Sequence, residues 1–308
     1  MTAPDDRRRE PGSSVIDGEI TTLVRVIRVL ILALVVTALV AGVVRALTTS
    51  ATGKNALVDG LVLSEVSLAA ILILLGSLVE GFGFGLSLGT NWPYTRNILV
   101  LLVRGDPEAA HRIVATLVGL IAVALVALKP NSLTINGLVL IGLTALLGVG
   151  TLHVLAGRLP SIVHGVHGLL AYGVFLCYLE AYYWPAVHFW NYLDHMSSLH
   201  CVLTAVFFGG VTTGQRGFGQ PIGAFDVPKK LPQWVTAAHI ISGLAVVGTL
   251  GWQMPLYELA FYLAVTQFLV GFLLFHAVNL RPKEPGILVA FHQGMVLAIT
   301  WAIVSAWA

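Results

Sequence analysis

The chain has 308 residues, 57% hydrophobic and only 10% charged, with a formal net charge of +2 and a mean hydropathy of +0.87. Soluble globular domains carry about 25% charged residues, so this composition excludes a soluble enzyme and defines an integral membrane protein. Beyond Arg7, Arg8 and Arg9 there is no basic cluster, and nothing reads as a nucleic-acid surface.

A spanning helix needs roughly 20 mostly apolar residues. Nine runs meet that requirement, at about 23–47, 61–86, 110–129, 134–156, 161–183, 197–213, 234–252, 256–279 and 286–307. The expected fold class is therefore all-α: a polytopic protein with about nine transmembrane helices in a lipid bilayer. A polar tail, 1–22, comes first. The run at 23–47 is too long for the apolar core of a signal peptide and reads as an extra transmembrane helix. The other long polar segments, 87–110 and 214–234, are too small for a soluble catalytic domain. Chemistry must therefore use the helices and their ends. Cys177 and Cys201 stand in or beside apolar runs with no metal-binding spacing, and read as small core residues.

Ten histidines are the informative residues, because an ionisable group inside a span is costly and marks function by default. His111 and His239 are 128 apart (239 − 111), His167 and His292 are 125 apart (292 − 167), and His153 and His276 are 123 apart (276 − 153). This near-constant period predicts two four-helix halves, about 61–183 and 197–307, after the extra helix. Pro107, Pro160, Pro232 and Pro285 stand where helices should start. His167, His239 and His292 each follow their proline by seven residues, and His111 by four. At about 1.5 Å per residue, three histidines lie roughly 10 Å below their helix starts and His111 about 6 Å. His111 can then face His167, and His239 can face His292. Two imidazoles from two bundle helices are what a haem iron takes, whereas a small metal ion wants three or four close ligands. His153 and His276 end the third helix of each half. They could meet haem propionates, act as alternative ligands, or sit at the interface.

The stretch 105–119, "GDPEAAHRIVATLVG", reads as a capped helix start. Asp106 caps, Pro107 is the first residue and Glu108 suits the dipole. Glu108 and His111 are three apart and share a helix face, so Glu108 reaches the plane of any haem that His111 ligates. Arg112 is expected to point elsewhere, toward a propionate or a lipid phosphate. Glu80 lies among Gly81, Gly83 and Gly85, which admit either a flat macrocycle or close helix packing. Glu65, nearer the opposite face, reads as interfacial. The Tyr- and Trp-rich segment 178–200 reads as interfacial. It holds His188, His195 and His200, with Asp194 and His195 as proton acceptors under a quinol-site alternative.

These pieces resemble the haem A synthase family over about residues 61–307. "GFGFGLSLGTNWP" (81–93) leading to "EAAHR" (108–112) is similar to that family's approach to its E-x-x-H-R helix start. "RLPSIVHGVHGLLAYGVF" (158–175), "WVTAAHIISGLAVV" (234–247) and "ILVAFHQGMVLA" (287–298) match its other histidine segments. The resemblance implies an oxidoreductase of the plasma membrane that converts the C8 methyl of haem O to a formyl group with O2. It implies that His111 and His167 flank the substrate haem, with Glu108 as the catalytic acid–base residue. His239 and His292 would ligate a haem B that relays electrons. Apart from the resemblance, the residues themselves make Arg112, His153, His276 and Glu80 candidate propionate or supporting contacts. The implied partners are haem O and haem A, O2, a quinol or redox protein as electron donor, and haem O synthase or a cytochrome oxidase.

The chain departs from the family in lacking a cysteine pair in 87–110, in having Glu80 where an arginine is common, and in its extra helix. Those departures favour the alternative of a dihaem cytochrome b-type electron-transfer subunit linked to quinol. Arg45, Lys54 and Lys129 apart, all Lys and Arg, 14 of the 17, fall on the histidine face or its loops. The positive-inside rule turns that face to the cytoplasm, whereas the family places its haem face outside.

Overall fold

The computed structural model describes residues 13–93, 97–185, 197–224 and 226–307. Ten helices run in order: α1 (Ser13–Thr48), α2 (Lys54–Gly81), α3 (Ile98–Arg104), α4 (Pro107–Leu128), α5 (Ser132–Leu155), α6 (Ile162–Tyr183), α7 (Ser197–Arg216), α8 (Leu231–Trp252), α9 (Glu258–Leu280) and α10 (Leu288–Ser305). Among the described residues, nine of them, all but α3, are long and apolar enough to cross a membrane. The protein is an all-α polytopic membrane protein. In hydrocarbon each span must satisfy its own backbone hydrogen bonds, which a helix does internally. Its outward face can then be apolar, as Leu47, Trp252 and Leu280 are.

Local sequence sets the ends. Asp106 caps α4 as expected, its Oδ1 accepting from the Ala109 N–H at 3.0 Å. Asn131 and Thr134 form a reciprocal capping box on α5. Pro107 and Pro232 sit in the first turns of α4 and α8. Pro160 and Pro285 precede their helices, because turns at Ser161 and Gly286 intervene, and Gly286 has a left-handed φ of 85°. The histidine depths therefore differ from the expectation. His111 and His292 lie about 6 Å from the first helical residue, His167 about 7.5 Å and His239 about 12 Å.

Two elements differ from the sequence reading. α1 reaches back to Ser13, into the expected polar tail. Within the expected loop 87–110, "ILVLLVR" forms α3, with Leu99, Val100 and Val103 exposed. Seven residues span only about 10 Å, so α3 lies on the bundle and does not cross.

α1 packs chiefly on α2. The two backbones meet at glycine: a Cβ on Gly60 would stand 2.4 Å from the Gly42 carbonyl oxygen. Small residues allow such close crossings of spans. The core lies where α2 and α6 meet α7 and α10. Three polar links tie these helices, the first two at one end and the third inside the bundle. Arg216 Nη1 pairs with Glu80 Oε1 at 2.9 Å, and its Nη2 donates to the Pro282 carbonyl at 2.6 Å. The Gly286 N–H donates to the Gly81 carbonyl at 2.8 Å. The Tyr172 hydroxyl donates to Gln293 Oε1 at 2.9 Å.

The Arg216 and Glu80 side chains are only 4% and 15% exposed. Removing one partner of a buried pair strands the other, at about 3–5 kcal/mol. Arg216→Met should lower the unfolding temperature in detergent markedly, and adding Glu80→Leu should recover most of the loss. Thermal denaturation of the single and double variants measures this directly.

Candidate functional site

Each of the four period-related histidines rests on the membrane-spanning helix before its own, against a glycine; for His111 on α4 that span is α2, the short α3 lying between. A Cβ on Gly76 of α2 would lie 3.3 Å from His111 Cε1, and one on Gly148 of α5 would lie 3.6 Å from His167 Cε1. The corresponding values are 3.0 Å for Gly209 of α7 against His239 and 3.5 Å for Gly271 of α9 against His292. Four residues before each glycine stands the group that faces the ring's Nδ1. His111 Nδ1 lies 3.1 Å from the Leu72 carbonyl oxygen. His167 Nδ1 lies 3.0 Å from that of Thr144, and His239 Nδ1 2.8 Å from that of Ala205.

The offset of four has a structural cause. In an α-helix the carbonyl of residue i accepts from the N–H of residue i+4. A glycine at i+4 leaves that carbonyl uncovered, so its second lone pair can take a ring N–H. A ring nitrogen facing a carbonyl must be the donor, which leaves the lone pair on Nε2. The Nε2 atoms of the four histidines have no hydrogen-bond partner among the described residues.

The fourth seat uses a side chain. Gln267 Nε2 lies 2.9 Å from His292 Nδ1 and donates to the His292 carbonyl at 3.0 Å. Gln267 Oε1 is buried without a partner. The amide turned over would present that oxygen to Nδ1–H, giving the tautomer of the other three.

In the second half the rings of His239 and His292 have centroids 6.2 Å apart and planes inclined by 59°. An imidazole nitrogen lies about 1.1 Å from its ring centre and about 2.0–2.1 Å from a bound metal ion, so this spacing leaves room for two imidazoles that would share one ion. In the first half His111 and His167 line one cavity of ≈ 450 Å³, within the range of cofactor pockets. His164, Glu80, Glu108, Arg112 and Tyr172 line it too.

Glu108 is buried and holds a loop over the cavity. Its Oε2 accepts from Ser87 Oγ at 2.9 Å and from the Leu88 N–H at 3.1 Å. Its Oε1 pairs with Arg112 Nη2 at 2.5 Å. Arg112 Nη1 donates to the carbonyls of Asn91 and Pro93. Arg112 therefore does not point away from Glu108, as its adjacency to His111 suggested. Four residues separate the two, and positions i and i+4 share a face. Together they fasten 87–93, whose Trp92 and Pro93 cover the cavity.

Other expectations are also revised. Glu80 is the penultimate residue of α2 and pairs with Arg216. The neighbouring glycines serve packing, since a Cβ on Gly85 would meet the Phe218 ring at 2.5 Å and one on Gly83 the Lys283 carbonyl oxygen at 2.9 Å. Glu65 is not interfacial but fully buried. A helix apolar on every side gives no sign of which face meets lipid. His153 is half-buried in the last turn of α5 and is not among the residues lining the first-half cavity. His276 is exposed, its ring edge-on to Phe272 at 4.5 Å. His200 is exposed on α7. His188, Asp194 and His195 lie outside the described residues. Sequence reasoning missed His164, whose buried Nδ1 has no partner in the described residues and whose ring meets Phe218 edge-on at 5.7 Å. It also missed Arg216, which looked like a loop cation, and the four glycines. Their signal was a glycine in each membrane span before that of a period-related histidine.

The chain matches no protein-family model, no curated protein and no solved structure.

The seats predict opposite effects for two alanine substitutions. Gly209→Ala pushes a Cβ onto a ring that cannot retreat without losing its Ala205 bond, and should cost about 1–3 kcal/mol. Gly248→Ala, in the interior of α8 with open space around the new carbon, should gain about 0.5–1 kcal/mol. Thermal unfolding of the two variants should move in opposite directions.

Proposed function

We propose that the protein is a haem A synthase-like oxidoreductase of the plasma membrane that oxidises the C8 methyl of haem O to formyl with O2. The observation that carries this reading is the fourfold seat, which commits Nδ1 to the protein and leaves Nε2 uncommitted. A metal-ligating histidine is held this way, with its second nitrogen bonded to fix the tautomer. The donor set fits haem: imidazoles in pairs, with the ring centres of His239 and His292 6.2 Å apart. Among the described residues no group of three or more His, Cys, Asp or Glu is placed to hold a small metal ion.

His239 and His292 would hold a haem B, and His111 and His167 would flank the substrate haem. When bound, such groups supply one-electron transfer and O2 chemistry. The chain's own contribution is positional. Glu108 and Arg112 close 87–93 over the first cavity and limit water there. Glu108 is the acid–base residue that the sequence resemblance assigns. Electrons would come from a quinol or a redox protein, and haem O synthase or a cytochrome oxidase would be its neighbours in the pathway.

The four seats fit a second reading equally, a dihaem cytochrome b-type electron-transfer subunit with a permanent haem in each half. Extraction of haem from the purified protein separates the two. Haem O or its hydroxylated forms beside haem B supports the enzyme. Haem B alone, with a stable co-purifying subunit, selects the electron-transfer subunit. His239→Ala or His292→Ala should abolish the low-spin bis-imidazole signal. Glu108→Gln should block haem A formation with the haem B spectrum intact, and an unchanged haem A yield would remove Glu108 from the chemistry.

A further inference from the structure

Glu108 Oε2 holds the loop and its Oε1 pairs with Arg112, so an acid–base residue here would need a further group to supply it with protons. The lining residues of α2 are Ala69, Leu72, Ile73 and Gly76 and their neighbours, a single stripe. Glu65 is four residues before Ala69, on the same stripe and one turn, about 6 Å, beyond the cavity. On α6 the lining residues include His164, His167 and Ala171, and Tyr178 follows Ala171 by seven on the same face. Glu65 and Tyr178 thus continue two walls of the cavity toward the opposite membrane face.

Both are fully buried. Neither Glu65 oxygen, nor the Tyr178 hydroxyl, has a hydrogen-bond partner among the described residues. The helices that carry them, α2 and α6, pack directly on each other. Facing Tyr178 across α5 is Gly137, whose Cβ would stand 2.7 Å from the hydroxyl. Buried polar atoms are almost always paired, and exceptions call for an explanation such as a catalytic role or bound water. A bare carboxylate is costly in such a place, so the state that fits is the neutral acid. Glu180 is a second buried acid without a partner. It lies two residues from Tyr178, about 200° around the helix and off the cavity stripe.

We propose that Glu65, with Tyr178, is an internal proton carrier serving the first-half cavity from the opposite membrane face. This rests on the oxidoreductase reading above. Oxidation of a methyl carbon to the alcohol by O2 inserts one oxygen atom and releases the other as water. It takes up two electrons from the quinol or redox donor and two protons. The Glu65 carboxyl gives its proton toward the cavity as O2 is reduced. The carboxylate regains one from water on the far side through the Tyr178 hydroxyl, and no electron moves in this step.

The test is infrared spectroscopy of the full chain in lipid vesicles, in H2O and D2O, comparing wild type with Glu65→Gln. It works with or without bound haem, so failure of the haem reading leaves it intact. The expected result is a carboxylic acid C=O band that moves on D2O exchange, is lost in Glu65→Gln, persists in Glu180→Gln, and shifts in Tyr178→Phe. In haem-loaded protein, Glu65→Gln should leave the absorption spectrum unchanged and slow turnover about a hundredfold, with Glu65→Asp partly restoring it. A band that never exchanges, no band assignable to Glu65, or full turnover in Glu65→Gln would overturn the proposal. If Glu65→Gln fails to fold, the exchange of the wild-type band and its shift in Tyr178→Phe decide it.

Discussion

A histidine ring held at membrane depth must give one nitrogen to the protein and can offer the other. In this chain the nitrogen given is Nδ1, and in three of four cases it goes to a backbone carbonyl of the preceding membrane span. A carbonyl four residues before a glycine is already bonded along its own helix, yet keeps a lone pair in the open. Meeting that lone pair fixes the ring's tautomer and its position against the glycine in a single contact. The separation of His239 and His292 follows, because each ring is pinned to a different helix. The rigidity of the two seats, more than any direct contact between the rings, holds 6.2 Å between the centroids.

Such a device works only if neighbouring helices hold their register. At the end of α2 the chain uses polar bonds for this, because apolar contact between spans gains little over contact with lipid. Arg216 reaches Glu80 and the Pro282 carbonyl together. Gly81 bonds directly to Gly286, a few residues before His292. A shift of α2, which carries the seat of His111, is thereby felt at the start of the helix that carries His292. The two histidine pairs are mechanically joined at one end of the molecule.

The spans were legible because hydrocarbon demands long apolar runs. Their ends were less so: α1 and α2 begin earlier than the runs, among polar residues that a helix accommodates once it leaves the hydrocarbon. α3 escaped because seven apolar residues look like a fragment of loop. The histidines were legible through their spacing. Their seats were not, since 32 glycines are spread through the chain and a glycine carries meaning only once the ring lying on it is known. Arg112 was misplaced by attention to its neighbour His111, although its partner stood one turn back. Arg216 and Glu65 failed for opposite reasons. A cation at a helix end looks solvated until its buried partner is located, and an acid inside an apolar run looks interfacial until its helix is packed.

The first-half cavity is thereby bounded by two kinds of acid. Glu108 and Glu80 each face an arginine, and each joins segments distant in sequence: α4 to 87–93, and α2 to α7. Acids so engaged give shape to the cavity, because moving either one would strand a guanidinium. Glu65 joins nothing, and replacing it by an apolar residue of similar volume would cost the fold little. Its side chain fills space in the core, yet its oxygens bond to none of the described residues, and it stands on the stripe that forms the cavity wall. The two histidine pairs share one kind of seat but differ in their surroundings. The first pair lines a cavity with Glu80, Glu108 and the covering residues Trp92 and Pro93, with the unpaired Glu65 carboxyl one turn beyond on the same helix face.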